Sequence, residues 1–116
     1  MSKTDETIPE KQAETVQTDE KFFERVDTLI AITNGYIKKE VHPTFASNSF
    51  MFAASRFNAW MVAAGSKDAE EFANEKEKIL EYFTDQYKLM LNDNLDDYIR
   101  NFDKYMNPEN KTPKEK

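Results

Sequence analysis

Apolar residues recur along the middle of this chain at intervals of three and four, which is helical spacing. Phe22, Val26, Leu29, Ile30, Thr33 and Ile37 form the first stripe. It predicts a helix over about residues 19–39, with Thr18 or Asp19 at its start. Gly35 falls inside and costs about 1 kcal/mol relative to Ala. The stripe stays in phase through Ile37, so the helix is expected to run past Gly35, the alternative being a stop at Asn34-Gly35. Val41-His42-Pro43 then interrupts it, because a residue before proline is pushed out of the helical region.

A second helix is expected from Thr44 or Ser47 to Ala64, with Gly65 placed to end it. Phe50, Ala54, Phe57, Met61 and Ala64 make its main apolar face. The opposite side is also small or apolar (Ser49, Phe52, Ala59, Ala63), and Arg56 is the only charged side chain between Val41 and Gly65. A helix apolar nearly all round is surrounded by protein. Its main face is therefore assigned to helices one and three. Its back, Phe52, Ala59 and Ala63, is left for a fourth helix or a second chain.

A third helix starts at Ser66 or Asp68, where Asp68 and Glu71 have the spacing of a capping box. Its stripe is Phe72, Ile79, Leu80, Phe83, Tyr87 and Met90. Further on, Leu95, Tyr98, Phe102 and Met106 centre roughly 90° away at 100° per residue. That phase change, beside Asn92-Asp93-Asn94, predicts a break or kink, with a short fourth helix over about 95–106 or one kinked helix. The fold expected is all-α: an antiparallel bundle of three main helices plus a shorter C-terminal one. Residues 1–17 and 107–116 are too polar to offset their ordering entropy and are read as disordered tails, leaving 18–106 as one domain.

Three stretches resemble a known family: FFERVDTLIAITN (22–34), AASRFNAWMVAA (53–64) and EYFTDQYKLMLNDNLDDYI (81–99). They resemble small bacterial proteins catalogued as domain of unknown function 3144. Arg56-Phe57-Asn58-Ala59 and the closing 94–99 carry most of the likeness, which spans about residues 22–102. The resemblance implies a complete bacterial domain and no particular activity.

Composition narrows the function. The chain has 116 residues, net charge −6, two glycines and no cysteine. An acidic domain without a basic stripe is a poor nucleic-acid binder, because phosphate contacts need Lys and Arg. The same sign disfavours anionic membranes. Thiolate chemistry and disulfides are excluded. Without a secretory leader the expected location is cytoplasmic, where the Asn110-Lys111-Thr112 sequon meets no glycosylation machinery.

Few residues suggest chemistry. His42 is the sole histidine, expected in an exposed loop, with no triad or second imidazole. Asn92, Asn94 and Asp96 faintly echo a calcium loop but lack its glycine and terminal glutamate, so capping is preferred. Glu77, Glu81 and Asp85 form an acidic row best taken as a solvated face. Tyr87, Tyr98 and Tyr105 are read as the edge of a core. No metal or cofactor is expected, and no enzyme.

Arg56 is the main candidate. A buried unpaired guanidinium costs several kcal/mol, so pairing with Asp27, Asp96 or Asp97 is expected. The alternatives are a stem that covers apolar surface while its head reaches water, or an anion site shaped by Arg56, Asn58 and Trp60. The functional expectation is a non-enzymatic interaction module that self-associates as a homodimer. A small anionic-ligand binding protein is the alternative.

Overall fold

The structure is a computed structural model and describes residues 16–108. These are helical, with no strand among them: α1 (Phe22–Lys38), α2 (Pro43–Ala64), α3 (Ala69–Asn74), α4 (Lys76–Arg100) and α5 (Phe102–Met106). Apart from residues 16, 17, 107 and 108, the two expected tails lie outside the described residues.

Local chemistry sets the helix ends. Asp19 does not cap α1; it accepts from Arg25 at 2.7 Å instead. The helix passes through Gly35, and a Cβ there would meet nothing within 4 Å. It ends three residues later in a Schellman turn. Val41 N–H donates to Tyr36 O and Glu40 N–H to Ile37 O, with Glu40 at φ 71° in the left-handed position that usually holds glycine. His42 does more than interrupt. Its Nδ1 accepts from Thr44 N–H at 3.0 Å, so it caps α2, and Pro43 takes the first helical position, where a missing N–H costs nothing. Gly65 ends α2 at φ −92°, a conformation open to any residue.

The Asp68 half of the expected capping box forms, while Glu71 bonds the N–H one residue before the cap. Asp68 Oδ1 accepts from Glu71 N–H at 2.9 Å, and Glu71 reaches back to Lys67 N–H. The helix it opens is short. Glu75 (φ −95°, ψ 3°) both closes α3 and opens α4, an interruption that nothing in the apolar spacing announced.

The predicted break at 92–94 is absent. α4 runs unbroken from Lys76 to Arg100, and Asn94 donates to the Met90 carbonyl one turn back, so its amide is satisfied within the helix. The interruption comes at Asn101 (φ −117°, ψ 30°), whose amide donates to Asp97 O and Oδ1. The expected helix over 95–106 is thus the end of α4 plus α5. A continuous helix also removes any calcium-loop geometry at 92–96.

The substantial contacts are between consecutive helices: α1 with α2, α2 with α3, α3 with α4 and α4 with α5. Contacts of α4 with α1 and α2 are fewer than these, although Gln86, midway along α4, is buried. Only Ala46, Val62 and Gln86 are fully buried among the described residues. Near its C-terminal end α2 turns Asn58 and Val62 inward, about 100° round the helix from Phe57 and Met61. α4 turns Ile79, Tyr82, Gln86 and Leu89 inward, while Leu80 and Tyr87 face out. The side chains that supplied the predicted stripes are largely on the outside.

Candidate functional site

α2 is the element on which the candidate residues converge. At 100° per residue, Phe52, Arg56, Ala59, Trp60 and Ala63 form one contiguous strip. All five are exposed; Phe52 is 60% and Trp60 61% accessible. The structure therefore joins the predicted interaction residues (Phe52, Ala59, Ala63) to two of the three predicted ligand residues (Arg56, Trp60). Asn58 is not among them. Two residues on from Arg56, it lies on the far side of the helix and is half-buried.

Arg56 does not pair as expected. No carboxylate lies within ion-pairing distance of it among the described residues. Its guanidinium carbon instead sits 5.0 Å from the centre of the Phe52 ring, one turn back. An exposed cation over an aromatic face contributes about 0.5–1 kcal/mol, and the head remains in water, so no buried charge needs a partner. The signal in the sequence was the four-residue interval between Phe52 and Arg56, which stacks the two side chains on one face. On the main face, Phe57 and Trp60 rings lie 5.4 Å apart, and Phe57 is 59% accessible.

Of the candidate acids, Asp97 is occupied elsewhere. It accepts from Asn101 and from the Tyr105 hydroxyl at 3.0 Å. That hydrogen bond, followed by desolvation and the carboxylate's charge, holds the Tyr105 phenol above its ordinary value of 10.0. With the Tyr98 and Tyr105 rings 4.6 Å apart, the interaction fastens α5 to α4. These tyrosines stand at an exposed helix end and not at a core edge. Among the described residues, no helix is long and apolar enough to cross a membrane, and no three His, Asp or Glu residues are placed to hold a metal ion.

On the α2 strip, aromatics and an arginine surround two alanines, and small residues let a second helix approach closely. Neither the curated proteins nor the solved structures contain a match to the chain. A family model does match, over residues 22–99, nearly the whole span of the resembling stretches. On that match the chain belongs to DUF3144, a family described as proteins of unknown function.

Proposed function

We propose that this protein is a non-enzymatic interaction module of the bacterial cytoplasm that self-associates and completes its helical bundle only in the assembly. The observation that carries this reading is the bare strip on α2. A fourth helix was the one intramolecular cover that the sequence offered, and the helix at that place, α5, contacts α4 instead. A large apolar side chain contributes about 1.5–3 kcal/mol when it leaves water. With only Ala46 and Val62 fully buried among its described apolar residues, a lone chain forgoes most of that. A second copy supplies the missing cover by the simplest symmetry, a two-fold.

Ala59→Glu and Ala63→Glu test it. A charge there is harmless on a solvated face and disruptive in a contact between helices. Sedimentation equilibrium at micromolar concentration should show an oligomer for the unsubstituted protein and a smaller species, or an unfolded chain, for the variants. An unsubstituted chain that stays monomeric at several hundred micromolar overturns the reading.

The second reading is a site for a small anion, favoured by Arg56 being a cation without a carboxylate partner. Trp60, the only tryptophan, stands one turn from it and reports directly. Phosphate or a dicarboxylate that binds at Arg56 should change Trp60 fluorescence saturably, and Arg56→Met should abolish the change.

A further inference from the structure

α4 carries a second uncovered surface, and its spacing is more informative than that on α2. Leu80, Tyr87, Leu91, Leu95 and Tyr98 on α4, then Phe102 at the start of α5 beyond Asn101, follow one another at intervals of seven, four, four, three and four. Thr84 divides the first interval into four and three. The repeat is therefore eleven residues, in which Leu80, Leu91 and Phe102 are equivalent, as are Tyr87 and Tyr98. Eleven residues in three turns is 3.67 per turn, so the row drifts slowly round a straight helix in the sense that suits a right-handed supercoil. The helix nonetheless continues unbroken through the phase change near residue 92.

The row lies roughly 150° round the helix from the inner residues Ile79, Tyr82, Gln86 and Leu89. Every member is exposed; Leu95 is 53% and Phe102 56% accessible. The α4 part of the row, Leu80 to Tyr98, extends about 27 Å. Half-exposed side chains of this size present about 600 Å² per chain, roughly three-quarters of what one partner contributes to a standard-size interface.

We propose that this row docks against the same row of a second copy, antiparallel, with the two-fold axis at Leu91. A second copy fits because the row is periodic about its own midpoint: Leu80 faces Phe102, Tyr87 faces Leu95, and Leu91 faces itself. Charge selects the antiparallel sense. Residues 76–89 hold three cations (Lys76, Lys78, Lys88) and three carboxylates, whereas residues 90–106 hold four carboxylates (Asp93, Asp96, Asp97, Asp103) and two cations. A parallel pair sets the two acidic halves together; the antiparallel pair sets each against a neutral half. The proposal rests on the self-association reading and gives that association a contact separate from the strip on α2.

The full chain has no thiol of its own, so single cysteines can report the geometry. Leu91→Cys, treated with a short thiol cross-linker, should give a covalent dimer. Leu80→Cys alone should not, since its copies are about 33 Å apart, but a mixture of Leu80→Cys and Phe102→Cys chains should link to each other. Asp85→Cys, off the row on the same helix, controls for random collision and should remain unlinked. The Leu91→Cys link should persist when Ala59→Glu is added. A Leu80→Cys chain that links to itself overturns the antiparallel arrangement. An oligomer in which Ala59→Cys links and Leu91→Cys does not overturns the α4 contact and leaves self-association standing. A chain that is monomeric in sedimentation removes both.

Discussion

α2 and α4 are both long helices with much of their apolar surface uncovered, but they expose it differently. α2 has a single charged residue and is bare around most of its circumference, so its surface says little about the angle or register at which anything would dock. On α4 charged residues lie between the inner face and the outer row, and the outer row has a period of its own. Apolar surface alone makes a helix adhesive. A bounded, periodic row specifies how it adheres.

The comparison can be sharpened first on the inner face of α4, where the largest effect on the single chain is expected. Gln86 is fully buried and its side chain is engaged. Gln86→Ala removes one half of that interaction and should cost about 1–3 kcal/mol in urea unfolding. Tyr87→Ser, one residue on but in the outer row, should weaken the oligomer while leaving the unfolding of dilute chain nearly unchanged. Equal effects of the two substitutions on dilute chain would mean that α4 does not have separate inner and outer faces.

α2 offers the next test. With little burial of its own it depends on its start, and His42→Ala should cost about 1 kcal/mol by removing the acceptor for Thr44 N–H. His42→Asn, which restores an acceptor, should recover most of the loss. If alanine and asparagine behave alike, the His42 cap contributes nothing.

The smallest effect belongs to the end of α4. The Tyr105 phenol must keep its proton to donate to Asp97. Its folded value lies above the unfolded 10.0. The stability it contributes is therefore fully present below pH 10.0 and is lost as pH rises through the higher folded value. An absorbance titration of the phenolate should show one tyrosine ionising late, and Asp97→Asn should bring it back toward the others.

Much of the secondary structure was legible in the sequence because it is decided locally. The 3.6-residue spacing placed α1 and α2, and Asp68 with Glu71 marked the start of α3; Pro43, expected only to interrupt the chain, is the first residue of α2. Local signals also misled where two of them competed. Asn92-Asp93-Asn94 looked like a break beside a phase change, yet Asn94 satisfies its amide on the Met90 carbonyl and the helix continues. His42 was read as a loop residue because imidazole is an uncommon cap, although its position before Pro43 was the available clue.

For the candidate site, the sequence brought out Arg56 and the small-residue back of α2. It assigned Arg56 a carboxylate, because an arginine on an apolar helix must pair if it is buried. By itself the sequence determined that the chain is all-helical, which faces are apolar and that the chain is acidic and without thiols. The tertiary structure alone decided which of those faces turn inward and that Asn58 parts from Arg56 and Trp60. The physical reason is that helix formation is set by propensity and hydrogen bonds within a few residues. Apolar surface, by contrast, has no direction of its own, and is satisfied equally by its own chain or by another.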